Sequence, residues 1–188
     1  MKQARTLSDK QIKSVLAHCS TRRHGARDRA IVAFSFYAGL RAKEIASLTI
    51  DNITDAEGNI RNEFILDKQQ TKGDKARRIF VSDKLRKELI AYFRTTSLRN
   101  GCNAFFQSQK GRAFSANTMC QLFLIIYSEA GIDGASSHSG RRTLLSRLCQ
   151  KGISVRVLAE IAGHSSISVT QRYLDVNDEH MRAAIELL

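Results

Sequence analysis

The chain contains no proline, so no proline-rich linker divides its 188 residues, and no internal repeat or low-complexity tract marks a domain boundary. Cysteine is sparse: Cys19, Cys102, Cys120 and Cys149 are widely scattered and form no CxxC pair. That spacing argues against a disulfide framework and against a zinc site, and fits reduced core thiols of a cytosolic protein. No apolar run is long enough to span a bilayer, and neither a signal peptide nor a lipidation motif appears, so a membrane partner is not expected. Acidic residues are in deficit as well, with 18 Asp and Glu against 30 Lys and Arg, a net charge of +12. Such an imbalance says little about fold but favours a polyanionic partner. Nucleic acid leads, because neutralised phosphates release counterions and so supply affinity independent of sequence. What is present, 43% hydrophobic residues over this length, suits one compact domain whose core needs no disulfide or metal.

Ser8 followed by Gln11 forms a capping-box pattern, and Ile12, Val15, Leu16 and Cys19 continue it at helical spacing. RDRAIVAFSFYAGL is a more apolar, buried helix that Gly39 is placed to stop, and RAKEIASLTI is a short helix directly after that turn. The pattern then changes. Phe64–Leu66 and Ile79–Val81 are strand-like runs among polar, turn-rich segments, with a hairpin near residues 70–76. From Asp83 on, helices are expected at about 84–97, 115–130, 142–151, 154–162, 167–175 and 178–187. The expected fold class is mainly α, with a small three-stranded antiparallel sheet inserted after the third helix.

Six residues could carry chemistry. Arg41 stands at a helix start, a poor place for a cation unless it faces an anion, and Glu44 one turn later can orient it. Lys72 lies in the basic segment QTKGDKARR. His138 and Arg141 are three apart at a helix start and can face one spot. His164 follows Gly163 in a helix–helix turn, and Tyr173 comes nine residues later. Taken singly, the lysine is an ordinary solvated turn residue, the histidine a structural one and the tyrosine a packed one. Together they match one chemistry, transfer of a phosphodiester to a tyrosine. A phenol with a pKa of about 10 needs a proton acceptor or nearby cations to act as a nucleophile. Two guanidiniums can clamp the charge that grows on the phosphate oxygens, and a lysine can protonate the leaving 5′ oxygen. This chemistry calls for no metal ion and no cofactor.

The order Arg, Lys, His-x-x-Arg, His, Tyr resembles the catalytic domain of the tyrosine recombinases, the phage integrase family. AGLRAKEIASL resembles its first arginine box, TKGDKARRIFV its lysine hairpin, HSGRRTLLSRL its His-x-x-Arg helix, and IAGHSSISVTQRY its closing box. The likeness runs from about residue 6 to residue 176. It implies that Tyr173 attacks DNA to give a 3′-phosphotyrosyl bond while Arg41 and Arg141 hold the scissile phosphate. His138 would act as general acid–base and His164 would hydrogen-bond the phosphate. Lys72, with Lys75 as the alternative, would protonate the leaving oxygen, and Glu44 would support Arg41. Lys43, Lys75, Arg77, Arg142 and Arg172 lie within these boxes and are expected to touch DNA.

The sequence departs from the family inside the His-x-x-Arg box. Ser139 and Gly140 stand where an acidic residue and a leucine are common, and Arg142 replaces a histidine. Residues 1–188 are expected to be a catalytic domain alone, without the N-terminal helical clamp, as in the small stand-alone DNA invertases. In residues 177–188, Met181, Ala184, Ile185 and Leu188 form one apolar stripe, which either packs on its own core or docks on a neighbouring subunit. The expected partners are double-stranded DNA, further copies of the chain (a monomer when free, a tetramer on synapsed sites) and accessory DNA-bending proteins. The expected setting is the cytoplasm of a cell carrying a bacterial or phage-encoded mobile element. Two rivals share the charge: a non-enzymatic helix-turn-helix protein, with Ala159, Gly163, Ile167 and Val169 as its motif positions, and a topoisomerase IB-like relaxing enzyme. An RNA-binding protein is disfavoured by the absence of an aromatic stacking box.

Overall fold

The computed structural model describes residues 4–71, 75–96, 101–171 and 186. Helix α1 (Asp9–Thr21) starts as the sequence indicates: Ser8 Oγ accepts from the Gln11 amide, and the Gln11 side chain accepts from the Ser8 amide at 3.0 Å. Helix α2 (Gly25–Ala33) runs straight into a π-helical turn, Phe34–Ala38, which Gly39 ends at φ 64°. Only a residue without a Cβ takes that left-handed conformation cheaply. Two short helices follow, α3 (Ala42–Ala46) and α4 (Ile50–Ile53), then strands β1 (Glu63–Leu66) and β2 (Arg77–Phe80). The rest is helical: α5 (Asp83–Thr95), α6 (Ala116–Glu129), α7 (Ser139–Gln150), α8 (Val155–Ala162) and α9 (Ile167–Gln171).

The architecture is mainly helical with a small antiparallel sheet. Two strands are found among the described residues where three were expected, paired with Phe64 opposite Ile79 and Leu66 opposite Arg77. An isolated bridge between Thr54 and Ile60 stands on the approach to β1 without extending into a strand. Helix α4 is a second difference. It forms because Thr49 and Asn52 cap each other reciprocally over a single turn, too short for hydrophobic periodicity to reveal. Helix α7 begins at Ser139, three residues earlier than its periodicity suggests. Residues 172–175 of the expected helix 167–175, and all of the one expected at 178–187 except residue 186, lie outside the described residues.

The core is built from α1, the α2–π-turn rod, α3, α5 and α6, with Phe64, Leu66 and Ile79 contributed by the sheet. At its centre Phe34 of the π-turn meets Phe64 and Phe106 edge-on, at 6.3 and 5.9 Å between ring centroids. Tyr92 meets Phe105 edge-on and Phe106 at a tilt, and its hydroxyl donates to the Phe105 carbonyl at 3.0 Å. A smaller cluster of Leu145, Leu158 and Ala162 fastens α8 to α7. All four cysteines are unbridged; Cys19 lies in the core, where burial pushes its thiol up to about 12 and leaves it inert. Among the described residues, no helix is long and apolar enough to cross a membrane.

Candidate active site

The π-turn, α3, β2, α7 and the α8–α9 turn converge on one cationic cluster. Widening the last turn of the α2 rod and ending it on Gly39 brings the chain round so that Arg41 stands directly before α3. Such π-turns recur at functional sites because they re-aim the residues that follow. Glu44, buried at 1% exposure, accepts from both the Arg41 amide (2.7 Å) and Arg41 Nη1 (2.8 Å). One carboxylate thus holds Arg41 at both its amide and its guanidinium, and the side chain remains about one-fifth exposed.

Helix α7 crosses the π-turn closely, and Gly140 is the residue that permits it. A Cβ there would lie 2.4 Å from Ser35 Oγ and 3.0 Å from the Ser35 carbonyl carbon. The crossing delivers Arg141, only 3% exposed, into the cluster. Its Nη1 donates to the Gly39 carbonyl at 2.6 Å, and its Nη2 donates to the Ala162 carbonyl and lies 3.0 Å from His164 Nε2. A guanidinium has no acceptor, so His164 Nε2 must be the accepting nitrogen. The proton then sits on Nδ1, which donates to the buried Thr170 Oγ1 at 2.8 Å. Burial first, then the charges of Arg141, Arg41 and Arg77, push His164 down to about 4, so its ring is neutral at pH 7.

His164 owes its place to the end of α8. Gly163 is left-handed (φ 58°); its amide donates to the Glu160 carbonyl and the His164 amide to the Ala159 carbonyl, the Schellman pattern. His138 sits at the exposed start of α7, one turn before Arg141, with Nδ1 3.4 Å from Ser137 Oγ. The structure therefore brings together Arg41, Glu44, Arg141 and His164 from boxes about 120 residues apart. Tyr173, Lys72 and Arg172 lie outside the described residues. Lys43 and Lys75 are exposed on the flanks, and Arg142 is half-buried.

Arg77 is a correction. Expected on the DNA surface, it is 7% exposed and turned inward, with Nη2 on Glu44 Oε2 and Nη1 on the Ile161 carbonyl, each at 2.6 Å. The strand explains why. Along β2 inward and outward residues alternate, and Arg77 shares the inner face with Ile79. That signal was present in the sequence, whereas nothing local marked Thr170. Ile167 and Val169, packing positions in the helix-turn-helix alternative, are 49% and 37% exposed. No group of three metal-capable side chains occurs among the described residues.

Residues 5–180 match the phage integrase family. Tyrosine recombinase XerA of Pyrococcus horikoshii is 26% identical over 97% of this chain and 60% of its own length. Tyrosine recombinase XerD of Neisseria meningitidis is 28% identical over 96% of this chain and 61% of its own. The chain thus spans about three-fifths of the length of these relatives. Among solved structures, XerA recombinase superimposes with a TM-score of 0.79 at 24% identity, over all of this chain and 66% of the other. The Tn1549 transposon integrase in complex with circular intermediate DNA gives 0.81 at 18%, over 100% and 67%. The catalytic domain of bacteriophage HP1 integrase gives 0.68 at 24%, over 98% and 95%. At these identities the structural likeness establishes the fold.

Proposed function

The chain belongs to the phage integrase family, and on that premise we propose that it is the DNA-cleaving and rejoining domain of a site-specific recombinase. Tyr173 attacks a phosphodiester of double-stranded DNA, forming a 3′-phosphotyrosyl bond and releasing a 5′-hydroxyl. In the return step that hydroxyl, from the same or an exchanged strand, displaces the tyrosine. The observation that carries this reading is the convergence of Arg41, Arg141 and His164 at one spot, with both guanidiniums held from behind. Arg41 rests on Glu44, and Arg141 rests on the Gly39 and Ala162 carbonyls. Such backing fixes the cations before substrate arrives, so their field is preorganised for the charge that develops on the non-bridging oxygens. His138 serves as general acid–base near the tyrosine, His164 hydrogen-bonds the phosphate, and Lys72 protonates the leaving oxygen, with Lys75 as the alternative. Lys43, Lys75, Arg142 and Arg172 contact the DNA backbone. Strand exchange needs several copies on synapsed sites, with residues 177–188 docking on the neighbour. The setting is the cytoplasm.

The test needs no knowledge of the target site. Wild-type and Tyr173→Phe proteins are incubated with supercoiled plasmid in chelator, stopped with detergent, and examined for relaxed DNA and protein-linked DNA. Both products are expected from wild type and neither from Tyr173→Phe. A Tyr173→Phe protein that still forms the adduct removes that residue as nucleophile. DNA binding with no adduct, even on nicked substrates, favours a non-enzymatic DNA-binding protein.

A further inference from the structure

Arg77 lies at the base of the β1–β2 connection, and four features set it apart from a surface cation. Its guanidinium is almost wholly buried, and its Nε has no hydrogen-bond partner among the described residues. It shares the buried Glu44 carboxylate with Arg41: Nη2 reaches Oε2 at 2.6 Å while Arg41 Nη1 reaches Oε1 at 2.8 Å. It also caps α8, donating to the Ile161 carbonyl, next to the Ala162 carbonyl that Arg141 takes. Two cations thus complete the open carbonyls at the negative end of α8, directly before His164. Finally, the fit to Gly163 is close: a Cβ there would stand 2.5 Å from Arg77 Cδ. The backbone of Arg77 pairs with Leu66 at the foot of the segment whose sequence includes Lys72.

We propose that Arg77 is a positioning residue for the DNA-cleaving site, setting Arg41 through Glu44 and His164 through the end of α8. It touches no reacting atom. A buried cation held at two points is costly to desolvate and gives orientation in return, a task suited to the rigid two-pronged guanidinium and poorly met by an ammonium. The inference rests on the reading of this site as a DNA-cleaving one. It assigns to Arg77 the coupling of three boxes that are remote in sequence, and it accounts for an arginine buried where a surface contact was expected.

The test compares Arg77→Lys and Arg77→Met with wild type in the full chain, well below each melting temperature. Three quantities are read: DNA affinity, the rate of covalent adduct formation at saturating nicked DNA, and the ¹⁵N resonances of the His164 ring. Affinity should hold within about threefold, while adduct formation slows about ten- to a hundredfold in Arg77→Met and recovers in part in Arg77→Lys. The His164 Nε2 resonance should move in both. Variants whose folded fraction cleaves at the wild-type rate, or whose His164 resonances stay in place, overturn the proposal whatever their melting temperatures. If Arg77→Met fails to fold, Arg77→Lys carries the same outcomes. Should wild type form no adduct, the DNA-cleaving reading fails separately, and the His164 resonances alone decide whether Arg77 sets the cluster.

Discussion

His164 presents its accepting nitrogen to Arg141 and its proton to Thr170, a state that only the neutral ring can adopt. Its titration therefore belongs near 4, against about 6.5 in an unfolded chain. The folded form is thus the poorer proton binder between those values. Whatever stability this confers is complete above about pH 6.5 and is lost as the pH falls toward about 4. Because the ring is partly exposed, the leg amounts to only on the order of 1 kcal/mol. Urea unfolding across this window should show a shallower pH dependence in His164→Gln than in wild type, whatever the offset between the two curves. Identical slopes would mean that the ring is not held neutral. The same geometry bears on function, since a ring that accepts from Arg141 must change tautomer or gain a proton before Nε2 can donate to a phosphate.

At the scale of elements, the crossing of α7 over the π-turn decides where Arg141 stands, and it depends on the lack of a side chain at position 140. Gly140→Ala would force a Cβ against Ser35, whose backbone carbonyl carbon cannot rotate away. The expected cost is about 1–3 kcal/mol, typical of overpacking, read as a fall in melting temperature. Combining it with Ser35→Gly, which removes the nearest atoms, should recover part of that loss. Simple additivity of the two changes would place the strain elsewhere. This pair also shows what was legible in the sequence. The unusual glycine in the His-x-x-Arg box was visible, but its reason lay in Ser35, about a hundred residues away. Local signals suffice for the Ser8–Gln11 cap, the stop at Gly39 and the strand at Phe64–Leu66. Arg41, Glu44, Arg141 and His164, singled out by type and spacing, do meet in space. What failed to show was set by tertiary partners or by reciprocal caps shorter than one hydrophobic period. The inward turn of Arg77 needed the two-residue alternation to be carried one step back from Ile79, against the expectation that arginine seeks water.

For the whole molecule, a net charge of +12 overstates neither attraction nor stability once the internal pairs are set aside. Arg22 faces Asp28 and Glu129, Arg27 faces Asp28, Arg29 faces Glu88, and Arg147 faces Asp9. Arg41 and Arg77 share Glu44. Five of the 18 acidic residues thus hold arginines against the fold, and the steering charge is left to exposed residues such as Lys43 and Lys75. The two groups should separate in a salt titration of DNA binding. Lys43→Ala and Lys75→Ala should each weaken binding to any duplex and lower the slope of log K against log salt by about 1. Arg22→Ala should leave the slope unchanged and reduce the melting temperature instead, because its guanidinium links Asp28, which is 1% exposed, to Glu129. A slope that falls with Arg22→Ala but not with the lysines would place the DNA at Arg22 rather than beside Lys43 and Lys75, and the proposed site would be wrong.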